Sequence, residues 1–466
     1  MKTYESYQQT NIDWLPSIPS TWEAKRIKNL FSLRDERSYK PLSEVNLISL
    51  YTSLGVRQHS DIEHTTGNKA RNADGYKIVN VDDIVVNIML CWMGAIGRSA
   101  YSGVTSPAYD IYIPHEGVNS SYYHYLFRTP IFSQQCFRNG HGIMMMRWRT
   151  YSSEFTSIVV PVPPRDEQDQ IVRFLDWKIS EINKMIALEN RTISILVETM
   201  DGVIDKAVIH GLHNPKTKHN NDIRWEIDYP EHWTIARTRE HYSFRKGLSI
   251  TKANLVESGV PVISYGQVHS KTNTGAGLNK TLIRFVDESY LETGKSSIVE
   301  KGDFIFADTS EDLAGCGNCV YIDSDDTIFA GYHSIIMHPD NCVKGKYMAY
   351  LFRSPTWRYQ IRKAVNAVKV YTISQAVLKD TFVLIPPTIE QEEITEYLDV
   401  EYKKNNQTIE LIKNKIQKLQ EFKTRLISDV VTGKIDVRGI EIPEYEHIAE
   451  EVDSEYEGED FDEQEE

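Results

Sequence analysis

Pro163-Pro164-Arg165-Asp166-Glu167-Gln168-Asp169-Gln170-Ile171-Val172-Arg173-Phe174-Leu175-Asp176 returns later in the chain as Pro386-Pro387-Thr388-Ile389-Glu390-Gln391-Glu392-Glu393-Ile394-Thr395-Glu396-Tyr397-Leu398-Asp399. The prolines, Glu-Gln, the isoleucine and Leu-Asp keep one spacing. Downstream of the first copy, Leu175, Ile179, Ile182, Ile186, Ile193, Leu196, Met200, Val203 and Ala207 advance in alternating steps of three and four, which makes an apolar seam on a long helix. The second copy carries Leu398, Tyr402, Asn405, Ile409, Ile416, Leu419, Lys423, Leu426 and Val430 at the corresponding places, with Ile412 beside them. A seam held in register over so many steps is the mark of an internal duplication.

Working outward, Trp14, Pro19 and Trp22 reappear as Trp225, Pro230 and Trp233, and Tyr125-Leu126-Phe127-Arg128-Thr129-Pro130 as Tyr350-Leu351-Phe352-Arg353-Ser354-Pro355. The offset drifts between these landmarks while the helices keep their length. The expectation is two variable heads and two helices of fixed length. Short apolar runs such as Ile84-Val85-Val86 and Phe304-Ile305-Phe306, set among Gly-containing turns, predict a mixed α+β (α/β) fold for each head. The predicted organisation is a head over 1–162, a helix over 163–212, a polar linker over 213–222, a second head over 223–385, a helix over 386–436 and an acidic, disordered tail over 437–466. Each helix needs a partner for its apolar edge, so the two are expected to pack antiparallel as a coiled coil about an approximate twofold axis. Glu189, Asn405 and Lys423 interrupt the seam, either to fix its register or because they sit at its edge.

Charge is unevenly spread. The net charge is −14, yet residues 439–466 hold 14 acidic residues and no Lys or Arg, so the rest carries 52 acidic against 52 basic side chains. A neutral body can still present basic faces. The tail reads as a solubilising extension; a sharper alternative has it competing with phosphate for a basic cleft. No apolar run approaches the length of a bilayer span, no signal peptide is visible, and a cytoplasmic location is expected.

Five cysteines, an odd and sparse set, argue against a disulfide framework. Cys316-Gly317-Asn318-Cys319 has the spacing of a metal knuckle, but a zinc site would need Cys342 with His333 or His338 to complete it. A tight Gly-Asn turn is the simpler reading, and no metal is expected. His210 and His333 have no evident nucleophile or metal partner and read as structural.

The tandem heads, each opening on Trp-x4-Pro-x2-Trp and closing on Pro-Pro before a long helix, resemble the specificity subunit of Type I restriction-modification enzymes from about Trp14 to Arg438. The resemblance implies two target recognition domains, each reading one part of a split double-stranded DNA sequence. It further implies helices that dock two methylation subunits, restriction subunits that join them, and S-adenosylmethionine, ATP and magnesium on those partners rather than on this chain. The residues agree that this chain lacks catalysis. Adenine methyltransferases set Asn or Asp before Pro-Pro and an aromatic after it, whereas here Val162 and Ile385 precede and Arg165 and Thr388 follow. No Gly-x4-Gly-Lys-Ser/Thr loop is present. Two other readings stand beside this one: a coiled-coil protein-interaction scaffold, and a self-sufficient restriction or methylation protein.

Phosphate contacts come from Lys and Arg, and base edges are read by Arg, Asn, Gln and similar side chains. The candidates in the first head are Arg57, Arg98, Arg138, Asn139, His141, Arg147 and Arg149; in the second they are Gln267, Arg362, Lys363, Asn366, Lys369 and Tyr371.

Overall fold

The computed structural model describes residues 2–61, 73–142, 148–340, 343–365 and 370–449. The predicted helices form over Arg165–His210 and Thr388–Val431. Packing, however, groups the chain differently from a division into heads and helices. One compact unit takes Met1–Asn190 with Lys413–Glu466 and the other takes Arg191–Ile412, so both borders fall inside the long helices. Each unit holds one head, the first half of the helix that leaves it and the last half of the other helix.

The two heads share a four-stranded antiparallel sheet. In the first unit its order is Ile96–Arg98, Ile84–Asn87, Tyr109–Pro114, Phe31–Arg34; in the second it is Cys319–Tyr321, Phe304–Ala307, Ser334–Pro339, Tyr242–Lys246. The central strands are β-branched or aromatic and buried on both faces. An ion pair on a buried carboxylate enters each sheet at the same place: Arg34 holds Asp83 through two nitrogens at 2.9 and 3.1 Å, and Arg245 holds Asp303 at 3.1 Å. Two helices follow in each head, Ser120–Phe127 and Pro130–Asn139 against Gly345–Arg353 and Pro355–Ala364. The second of each pair starts on Pro and is capped by a hydroxyl, from Thr129 or Ser354. The heads differ in their remaining strands: three in one sheet of the first, five in one sheet of the second.

The repeated signature has a physical account, residue by residue. Gln168 and Gln391 are buried; each donates to the carbonyl of the first proline of its Pro-Pro (2.8 Å in both) and accepts a backbone N–H from its own head, Asn119 at 2.9 Å or Lys344 at 3.0 Å. Glu167 accepts from Tyr4 Oη at 2.5 Å, and Glu390 accepts from Trp233 Nε1 at 2.9 Å. The Leu-Asp pair buries its leucine, while Asp176 and Asp399 accept from Tyr125 and Tyr350 at 2.5 and 2.7 Å. The far ends of the helices are held by the other head. Tyr122 donates to Val431 O at 2.8 Å and Tyr347 to Val208 O at 3.3 Å, satisfying carbonyls that a helix C-terminus leaves open. Beyond them Gly433 and Gly211 turn left-handed, both at φ +76°, and a Cβ there would press on Trp22 or Trp233 of the repeated Trp motif.

Within each unit the two helical stretches run antiparallel. Lys423 reaches Asn183 at 3.4 Å and Lys415 pairs with Glu189 in the first unit; in the second, Arg353 contacts both Asp201 and the ring of Tyr402. Seam residues Leu175, Ile182, Leu398, Ile409 and Leu426 are buried, whereas Ile193, Leu196, Ile412 and Ile416, nearer the middle of the helices, are half-buried. Ile179, Ile186 and Leu419 pack on the first unit's core. No helix among the described residues is long and apolar enough to cross a membrane.

The structure departs from the expected tail at its start. Residues 437–449 are laid against the first long helix instead of being disordered: Val437 is fully buried, Gln170 donates to the carbonyls of Val437 and Ile440 at 3.1 and 2.8 Å, and Ser180 and Asn183 hold Glu446 and Ile448. The reason is that main-chain groups and three apolar side chains, Val437, Ile440 and Ile442, make the contact, so acidic composition does not prevent it. The acidic residues from 450 on lie outside the described residues. Just before this segment, Asp436 pairs with Lys2 in a β-bridge.

Because Leu398 closes the second core between head and helices, Leu398→Ala is expected to lower unfolding free energy by about 2–5 kcal/mol, read as an earlier urea transition that leaves the first unit's transition in place.

Candidate nucleic-acid interface

In the first unit the site begins with Arg128, at the end of the helix Ser120–Phe127. Its guanidinium donates to four backbone carbonyls, of Thr52, Ser53, Gly94 and Ile96, at 2.7–3.4 Å. Such a fan fixes the hairpin formed by Ile48–Tyr51 and Gly55–Gln58, on which Arg57 lies. Gly55 is needed at the turn, at φ +69° with the Arg128 guanidinium against it. Arg98 pairs with Asp82 at 2.5 Å, and its own N–H donates to His124 Nδ1 at 3.1 Å. Burial first, and then the guanidiniums of Arg128, Arg98 and Arg57, pushes the His124 imidazole down to about 3. Arg57 and Arg98 are thus brought together around a neutral histidine. Beside them Thr52, Trp92, Met93, Gln134 and Phe137 line a groove of about 530 Å³ that also touches Arg128.

Arg138, Asn139 and His141 are exposed at the other end of the helix Pro130–Asn139, roughly 15 Å along its axis. His141 and Arg149 pair through their backbones at 2.9 and 3.1 Å and close a loop between them. Its base is rigid: Trp148 stacks on Phe137 at 4.8 Å, Thr150 Oγ1 donates to Cys136 O at 2.8 Å, and Gly140 leaves no room for a Cβ. Arg149 is half-buried there; Arg147 lies outside the described residues.

The second unit assembles its candidates differently. Gln267 sits on the short helix Tyr265–Val268 and accepts the Ser264 N–H at 3.2 Å. Arg362 is half-buried and donates to Ala314 O at 2.8 Å, whereas its neighbour Lys363 is exposed and donates to Ile223 O at 2.7 Å, facing away from the turn that Arg362 grips. Burial pushes the nearby Arg358 guanidinium down to about 10; it donates to Phe352 O at 3.0 Å, so this cation also serves the framework. Tyr371 lies on a two-residue strand paired with Thr309 and Ser310. Asn366 and Lys369 are outside the described residues.

The Gln267 and Tyr371 segments converge on Asp308, to which the sequence reading assigned no role, and on His333, which it read as structural. Ile373 N donates to Asp308 O at 2.7 Å, and the Asp308 carboxylate faces His333 Nδ1 at 3.1 Å. His333 is 58% exposed at its side chain, with Nδ1 engaged by Asp308. It sits at φ +53°, a left-handed conformation uncommon for residues other than glycine. His333 and Asp308 are 25 positions apart, so no local motif announces them.

The Cys316–Cys319 segment is a turn with Gly317 at φ +91°, and both thiols are free and buried. His333 and His338 are engaged by Asp308 and Asp303, and Cys342 lies outside the described residues. Among the described residues no group of three or more potential ligands gathers to hold a metal.

Protonation of His124 opposes folding. Its contribution is intact above the unfolded value of 6.5 and is lost as pH falls from there towards about 3. The first unit is therefore expected to lose stability between these pH values, and His124→Gln to flatten that part of the urea-midpoint profile relative to the unaltered chain.

Comparison with known proteins agrees with this architecture. Residues 230–421 match the model of the Type I restriction modification DNA specificity domain. The chain is 21% identical over 435 residues to the Type I restriction enzyme MjaVIII specificity subunit of Methanocaldococcus jannaschii, covering 91% of this chain and 95% of that one. It is 23% identical over 375 residues to the Type I restriction enzyme EcoKI specificity subunit of Escherichia coli, covering 73% and 74%. A structure from a study of complex assembly and conformational transition in the type I R-M system shares the fold, with TM-score 0.61 and 13% identity over 90% of this chain and 99% of that one. With both units built on one repeated framework, the chain is similar over most of its length to specificity subunits of Type I restriction-modification enzymes.

Proposed function

We propose that this chain reads a bipartite double-stranded DNA sequence, one half-site per head, as the recognition component of a Type I restriction-modification complex. The observation that carries the reading is one framework presented twice with different polar side chains set on it. Gln168 and Gln391, Asp176 and Asp399, and Tyr122 and Tyr347 are equivalent in position and bonding. Against them, the first head offers clustered guanidiniums at Arg57 and Arg98, and the second offers Gln267, Tyr371 and an imidazole. A constant scaffold with variable polar tips suits base-edge readout, in which each base pair displays its own pattern of donors and acceptors.

Catalysis is assigned to partners. Two methylation subunits would bind S-adenosylmethionine, and restriction subunits would bring ATP and magnesium. In this chain the Pro-Pro segments are occupied as helix starts: Val162 and Ile385 end strands, and the prolines' carbonyls accept from Gln168 and Gln391. The half-buried seam residues and the exposed Leu188, Ile195, Val400 and Leu411 supply apolar helix surface of the kind a partner subunit can cover.

The test is a head exchange. With methylation subunits co-expressed, genomic methylation is expected at a two-part motif, and replacing residues 1–162 by the corresponding head of a relative is expected to change one half only. Change in both halves, or in neither, would refute one head per half-site.

A further inference from the structure

We infer that His333 is the base-reading side chain of the second head, held by Asp308 and Tyr265 so that its imidazole Nε2 accepts a hydrogen bond from an exocyclic amino group, adenine N6 or cytosine N4, in the major groove. This rests on the proposed reading of DNA by the heads.

Four observations converge. First, the ring is aimed. Asp308 Oδ1 lies 3.1 Å from Nδ1, so the carboxylate accepts a hydrogen bond from Nδ1–H, and in that tautomer Nε2, across the ring, is the acceptor. Second, the ring is braced. Tyr265 meets it edge-on with centroids 5.5 Å apart at 78°, and Tyr332 packs on Tyr265 at 5.5 Å and 66°. Third, the backbone is committed: His333 holds φ +53°, and its carbonyl accepts from Asp308 N at 3.1 Å, so the Asp–His pair is tied through main chain as well as side chain. A non-glycine residue kept left-handed by its surroundings carries strain that packing of the fold alone does not require, since glycine would serve better there. Fourth, the place is right. The strand Thr309–Ser310 runs on from Asp308 and pairs with Tyr371–Thr372, while His269, one turn along from Tyr265, sits 2.8 Å from Thr309 O. Two segments rich in polar side chains therefore frame an exposed imidazole whose other nitrogen is already engaged.

The first head carries Ser106, Pro107 and Ala108 in the corresponding stretch, between the strand ending at Thr105 and the strand beginning at Tyr109, and has no histidine there. The first head's clustered guanidiniums, Arg57 and Arg98, lie instead around His124. Guanidinium donors suit guanine O6 and N7, so the two heads are built for chemically different base edges.

The variant His333→Gly removes the ring while suiting the left-handed backbone, which guards against loss of folding. The full chain, assembled with its methylation subunits, is used to select from a randomised duplex DNA library. The unaltered complex is expected to enrich a two-part motif, and His333→Gly is expected to relax preference at one A·T or C·G position of one half by roughly tenfold, leaving the other half and the melting temperature unchanged. An unaltered half-site in His333→Gly would overturn the assignment of His333 while leaving DNA reading by the heads intact. Relaxation at a position where the unaltered complex selects no amino-bearing base on either strand would overturn the acceptor role. If the unaltered complex enriches no motif, the reading of DNA by this chain falls, and the inference with it.

Discussion

Burial of two helix faces against one head is the constraint on which each unit depends. Ile171, Phe174 and Leu175 from the start of one long helix and Leu426, Val430 and Val431 from the end of the other enter a single core with Tyr122, Leu126 and Phe127. In the second unit Ile204, Ala207 and Val208 meet Ile394, Leu398 and Tyr347. Neither helix has an apolar stripe that water would tolerate alone, and an isolated long helix derives its stability chiefly from such packing. The hydrogen bonds described above are directional additions to this burial. Gln168 and Gln391 set where each helix begins, and the tyrosine hydroxyls at Val431 and Val208 set where it stops.

What could be seen in the sequence follows from how local the physics is. Helical periodicity repeats every few residues, so the duplicated seam and the mixed fold of two heads were legible, as was the family resemblance carried by Pro-Pro, Glu-Gln and Leu-Asp. The grouping of the chain into units was hidden, because the partner of Leu175's helix face comes from residues near 430, and no short pattern records a contact across that distance. The docked segment 437–449 was concealed by its composition: Glu441, Glu444 and Glu446 read as a solvated tail, while the groups that hold it are carbonyls, which every residue possesses.

The candidate site shows the same division. Arg57 stood out as a cation in a Gly-containing segment, but the role of Arg128 in fixing that hairpin depends on four carbonyls from two separate turns. Arg362 stood out for its charge, yet its bond to Ala314 O ties it to the framework. His333 stood out only as a structural histidine, since its setting lies in a backbone angle and a carboxylate brought from 25 residues away. Conspicuous charge in a sequence is thus an uneven guide here: some of it is spent on holding loops in place, and an imidazole that the sequence reads as structural is the better-presented group.

The mid-helix borders also bear on the order in which the chain can be completed during synthesis. The second unit is one continuous stretch, Arg191–Ile412, and everything its core requires has been made once that stretch is out. The first unit comes earlier in the sequence but is split, and its core lacks Leu426, Val430 and Val437 until the stretch after the second unit has been made. Domains usually mature from the N-terminus forward. Here the first head must wait with an apolar face uncovered while its later copy closes first, and the bridge between Lys2 and Asp436 cannot form until the second unit has been made.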